Sequence, residues 1–164
     1  DETDGWTRAY VEIDAASLDE RLPIHLFLPK GVEPPYQAVV YLPGSSAFSL
    51  ESSANIAEMS AFSFLPQSRR ALLDPVVKGS YDRHRRRPTR GMTERRQRYV
   101  WMVQDIMRAV DFIEESEELR EDAVSFLGMS FGAELVLPVA VEKRFNAAVL
   151  VGTALDPAWR GAIP

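Results

Sequence analysis

Five residues in the last quarter of the chain, Gly128-Met129-Ser130-Phe131-Gly132, have the types and spacing for nucleophilic chemistry. Val124, Phe126 and Leu127 before them form a short apolar strand, and the run from Ala133 to Val141 after them is compatible with a helix. A serine at such a strand-to-helix turn is held in a strained backbone conformation with its hydroxyl exposed above a sheet. The two glycines suit a crossing too close for a β-carbon. The backbone N–H of Phe131 would face an oxyanion formed when Ser130 attacks a carbonyl. The other reading of these residues is a plain strand–turn–helix connection.

A second donor has a candidate position. Pro43-Gly44-Ser45-Ser46 directly follows the apolar run Ala38-Val39-Val40-Tyr41-Leu42. A loop after such a strand can offer a further N–H to the oxyanion, from Ser45 first and Ser46 second. Pro-Gly also makes an ordinary strand-ending turn. The partners of an activated serine are harder to place. The chain has two histidines, His25 in an early strand and His84 in an arginine-rich stretch, and neither follows Ser130. Asp156 is a candidate acid, or simply a loop residue before Pro157. Without a base, a serine hydroxyl is a weak nucleophile.

Composition narrows the class. With 164 residues, 46% of them hydrophobic, the chain can bury one substantial core. The net charge of −5 gives no general attraction to nucleic acid. Absence of cysteine rules out disulfides, thiolate metal sites and a cysteine nucleophile. No metal-ligand cluster or phosphate-cradling glycine loop appears, so no cofactor is expected. No apolar run approaches the ~18 residues of a membrane span. Within residues 78–98, the stretch 83–98 concentrates eight of the 19 basic residues: Arg83, Arg85, Arg86, Arg87, Arg90, Arg95, Arg96 and Arg98. This stretch reads as a solvated or substrate-facing loop. Without interleaved aromatics it is a poor nucleic-acid surface.

The remaining elements must position the serine. Residues 6–13 and 22–28 read as an antiparallel strand pair. Residues 38–42 and 147–151 are continuous apolar runs, the mark of strands buried in a parallel sheet. Residues 51–65 read as a helix and 70–77 as a strand cut by Pro75, together implying a crossover. Residues 99–118 form the clearest helix, with Val103, Ile106, Met107, Val110 and Ile113 as its stripe. Its acidic end, beyond Glu115, is expected to fray. Pro138 frees the carbonyl of Glu134 and should kink the helix after the turn.

Taken together, the segments at residues 40–46, 74–83, 105–113, 128–132 and 144–150 resemble, in order, an α/β-hydrolase of the dienelactone hydrolase, acetyl xylan esterase and prolyl-oligopeptidase-like kind. The sequence is more similar still to hydrolase-like domains joined to bacterial serine/threonine protein kinases. The resemblance implies a three-layer α/β/α sandwich around a mostly parallel sheet, with residues 1–164 forming one incomplete domain through about the sixth strand. It implies Ser130 as nucleophile and a small-molecule ester as substrate, with the base and acid supplied outside this chain. About 80–100 further residues are expected, since such domains run past about 200. An apolar strand at 147–151 left at the sheet edge would favour self-association or pairing with other polypeptide. The competing function is a catalytically inactive hydrolase-like domain that binds a ligand or partner. A third is an anion-binding module using the arginine stretch.

Overall fold

A computed structural model describes residues 5–16, 21–44, 69–75 and 92–152. The expected helix at 51–65, Ser45, Ser46, His84, most of the arginine stretch and Asp156 lie outside the described residues.

Six strands form one sheet: β1 (Trp6–Asp14), β2 (Arg21–Pro29), β3 (Tyr36–Leu42), β4 (Ala71–Pro75), β5 (Leu119–Met129) and β6 (Phe145–Val151). Their spatial order is β1-β2-β4-β3-β5-β6. β1 and β2 pair antiparallel from Trp6 opposite Pro29 to Asp14 opposite Arg21. β2 is antiparallel to β4. From β4 onward every pairing is parallel. β4 ends at Pro75, where the chain has no N–H to continue a ladder.

Both faces of the sheet are buried at its central strands. On one, Leu22, Ile24, Leu26, Ala38, Val40, Leu42, Leu73, Val124 and Phe126 pack with the helix α1 (Met92–Glu115). On the other, Trp6, Phe27, Val39, Tyr41 and Leu72 form a second cluster, with the rings of Trp6 and Phe27 edge to face at 5.1 Å. The sheet is thus the middle layer of the fold, with α1 on one side. This explains why β3 and β4 are apolar at consecutive positions instead of alternating. Burying each large aliphatic side chain contributes roughly 1.5–3 kcal/mol.

Helix α1 differs from its sequence reading in two ways. It begins at Met92, so Arg95, Arg96 and Arg98 are helical and not part of a loop. Its buried stripe is Met102, Ile106, Ala109, Val110 and Ile113, with Val103 and Met107 only half-buried. The stripe is rotated because a carboxylate belongs to it. Asp105 is fully buried, and its Oδ1 accepts the backbone N–H of Ala16 at 2.8 Å. A charge-assisted bond to an N–H left over after β1 makes that burial tolerable. The helix does stop at Glu115, where the run of glutamates begins to oppose the helix dipole.

The last turn of α1 contains no basic residue. Arg144, in the turn before β6, supplies the missing cation. Its guanidinium donates to Asp111 at 2.9 Å, to Glu114 at 2.8 Å and twice to Glu142, at 2.8 and 2.6 Å. Glu114 therefore takes part in a clamp between α1 and β6. The Arg144 hydrogen bonds hold the Glu142 carboxyl below its ordinary value of 4.5, and the same bonds push the guanidinium pKa up.

β6 is the outer strand, paired only with β5 among the described strands. Val149 and Val151 are 55% and 46% exposed. The apolar sheet edge expected from residues 147–151 is present.

Replacing Arg144 with Met should cost about 1–2 kcal/mol at neutral pH, a value reduced for partial exposure of the pairs. Because Glu142 has a depressed folded pKa, its share of stability is complete above 4.5 and is lost as pH falls through the folded value. Urea denaturation at pH 7, 5 and 3.5 should show Arg144→Met losing less stability on acidification than the parent. Identical pH slopes would refute the clamp.

Candidate active site

The parallel strands β3, β5 and β6 end together. Leu42 lies beside Gly128, and Met129 beside Val151, so the segments that follow them meet at one edge of the sheet. In open α/β sheets ligands bind outside the carboxyl ends of the strands.

Ser130 stands at this edge and is exposed. Its backbone has φ 50° and ψ −115°, a conformation that L-residues rarely adopt. Two sets of hydrogen bonds enforce it. The Ser130 N–H donates to the carbonyl of Val151 at 2.7 Å, fixing the turn to the end of β6. The Ser130 carbonyl accepts from the N–H groups of Ala133 at 2.9 Å and Glu134 at 3.2 Å, so helix α2 (Phe131–Glu134) starts at the next residue. The strand becomes a helix across one residue, and that residue carries the hydroxyl.

Close packing leaves no room for side chains around it. A β-carbon on Gly132 would lie 2.1 Å from the carbonyl oxygen of Leu42. One on Gly128 would lie 2.7 Å from the carbonyl oxygen of Gly132 and 2.9 Å from the backbone N of Ala133. Both obstructions are backbone, which cannot swing aside. Gly44 comes from the other direction: a β-carbon there would sit 3.3 Å from Ser130 Cβ and 3.8 Å from its Oγ. The loop leaving β3 thus runs directly past the hydroxyl, and its smallest residue is at the point of contact.

Helix α2 is short. Leu135, with φ −78° and ψ 41°, separates it from α3 (Val136–Val141). The expected kink from Pro138 is a full break. Proline has no N–H for the Glu134 carbonyl, and it is tolerated in the first turn of a new helix.

Apolar side chains surround Ser130. Met129 is 38% exposed, and its sulfur accepts the Tyr41 hydroxyl at 3.4 Å. Phe131 is half-buried, its ring centroid 6.4 Å from that of Tyr99 near the start of α1. Neither contact was legible in the sequence, since each joins residues far apart in the chain.

Of the candidate residues, Ser130 and Phe131 are together at the edge. Ser45 and Ser46 begin immediately after Gly44, the last described residue of their loop. The sequence pointed to Ser45, whereas the described contact with Ser130 is made by Gly44; the Pro-Gly pair was its only signal. His25 is in β2, buried opposite Asp74 of β4. Three strand spacings separate β2 from β5, roughly 14 Å, so His25 cannot take a proton from Ser130. No group of acidic or histidine side chains fit to hold a metal occurs among the described residues. None of the described helices is long and apolar enough to cross a membrane.

This strand order, with a sharp serine turn at the carboxyl edge, defines an α/β-hydrolase fold, and comparison with solved structures agrees. A cold-adapted esterase from an Arctic intertidal metagenomic library matches 92% of this chain at 17% identity with a TM-score of 0.57. A dienelactone hydrolase-like promiscuous phosphotriesterase from metagenomic libraries matches 94% at 15% identity, TM-score 0.60. Prolyl oligopeptidase B from Galerina marginata matches 88% at 17% identity, TM-score 0.62. Within the fold, the chain is therefore similar to dienelactone hydrolase-like, esterase and prolyl-oligopeptidase structures. It spans 62% and 63% of the length of the first two and 20% of the third. No protein-family model matches the sequence, and no curated protein matches it.

The turn makes a stability prediction independent of chemistry. Ser130→Gly should stabilise the fold by about 0.5–1 kcal/mol, because strain of about 1–3 kcal/mol is relieved against a smaller loss in chain entropy. Ser130→Ala, which keeps the β-carbon, should be nearly neutral. Gly132→Ala should cost more than about 3 kcal/mol or prevent folding, since its obstruction is the Leu42 backbone. Urea titrations followed by circular dichroism check all three; a Ser130→Gly variant no more stable than Ser130→Ala would rule out strain at the turn.

Proposed function

We propose that this chain carries the nucleophile of a serine hydrolase of the carboxylesterase type, acting on an ester or related acyl bond. The observation that carries the reading is Ser130 itself: exposed, held at φ 50° between a strand and a helix, with Gly44 against its hydroxyl. Structural serines have no need of that conformation, which costs about 1–3 kcal/mol.

In the proposed reaction, Ser130 Oγ attacks the carbonyl carbon and its proton passes to a general base. The carbonyl π electrons move onto oxygen. The Phe131 N–H and an N–H from the loop after β3, at Ser45 or else Ser46, donate to that oxyanion. Collapse of the intermediate expels the alcohol, which takes the proton from the base. Water then hydrolyses the acyl-serine by the same steps. The base is assigned to a histidine outside this chain. Asp156 is the candidate acid within it.

Fluorophosphonate labelling of the full-length protein tests the proposal. One phosphonyl group should attach, the modified peptide should contain Ser130, and Ser130→Ala should abolish both labelling and ester hydrolysis, the latter by at least about 10³-fold. A folded protein that is not labelled would instead assign a non-catalytic hydrolase-like domain that binds a ligand or partner.

A further inference from the structure

We infer that the substrate's acyl group is apolar and ring-sized, and that Phe131 and Tyr99 select it. This rests on the reading of Ser130 as nucleophile. Phe131 is the next residue in the chain, so its Cα lies about 3.8 Å from that of Ser130. Its ring meets that of Tyr99 at 6.4 Å with a 39° tilt. Both residues are half-buried and pack on the core beneath. They form an anchored aromatic wall at the edge where the acyl carbon must come to rest. A third ring gains from such a wall by offset or edge-to-face stacking at centroid distances of 4.5–7 Å.

On the other flank of Ser130 stands Met129, whose flexible side chain is steadied at its sulfur by Tyr41. Methionine adapts to apolar shapes and contacts rings favourably. The charges closest in sequence to the wall are Arg98, next to Tyr99 on α1, and Glu134, along α2. With Arg95 and Arg96 also on that helix, cationic residues predominate in the sequence around the wall, and the monomethyl succinate arm of the test reads whether they draw an anionic acyl group.

The test compares methyl phenylacetate, methyl acetate and monomethyl succinate as substrates of the full-length protein. The kcat/KM for the phenylacetyl ester should exceed each of the other two by about five- to tenfold. Tyr99→Leu should bring the ratios to within about twofold, and Phe131→Leu provides a second variant if the first fails to fold. Tyr99→Phe, which keeps the ring, should retain the preference. Ratios within each variant cancel any general loss of activity. A parent enzyme that prefers the acetyl or succinyl ester, or a Tyr99→Leu variant with unchanged ratios, would overturn the inference while leaving the nucleophile intact. Failure of fluorophosphonate to label Ser130 in the parent would remove the nucleophile, and this inference with it.

Discussion

The close approach of Gly132 to the carbonyl of Leu42 is the constraint on which the rest of the site depends. It brings the first turn after the serine down onto the end of β3, with no side chain between. That contact is possible only because β3 and β5 run parallel in a register that sets Leu42 beside Gly128. Slip the register by one residue and the two glycines no longer face backbone. Ser130 would then lose its support from Val151 and the α2 amides together. The strain at Ser130 is thus maintained by the sheet. It follows from parallel pairing and two absent β-carbons, with no contribution required from the serine side chain.

Helix α1 keeps that sheet in place through contacts of two kinds. Its apolar stripe provides most of the burial, but an apolar stripe alone leaves rotation and sliding poorly defined. The polar contacts fix both. Asp105 ties the helix to the backbone leaving β1, and Arg144 ties its other end to the turn before β6. These are opposite edges of the sheet, so one helix spans it. Tyr99, in the first half of the same helix, reaches Phe131, the residue after Ser130. The helix that organises the core therefore also packs against the turn that carries Ser130.

How much was legible in the sequence depended on how local each signal was. The strand–Gly-x-Ser-x-Gly–helix arrangement was visible because glycines, serine and flanking apolar residues are adjacent. The strand pair at the start and the apolar edge at the end were visible for the same reason. The stripe of α1 was misread because hydrophobic periodicity discounts a carboxylate, and only the fold reveals the N–H that Asp105 accepts. The start of α1 was misplaced because arginines, which are good helix formers, were taken as the mark of a loop. The role of Arg144 as a clamp had no local signal: Glu142 is two residues away, but the partners it ties to are on a helix some thirty residues earlier. Gly44 was passed over for its serine neighbours because hydroxyls suggest chemistry and glycine suggests only a turn.

A site of this design also accounts for how the chain compares with others. The demands of the turn at Ser130 are met mainly by backbone: amides of α2 and the carbonyl of Val151 for support, two glycines for clearance, a parallel register to align them. Few side-chain identities are needed to preserve these, and the supporting core accepts many apolar sequences of similar volume. Structures can then agree over about nine-tenths of the chain at 15–17% identity while no family model recognises the sequence. Chemistry is constrained by the fold in such proteins, whereas choice of substrate is decided by residues that folding leaves unconstrained.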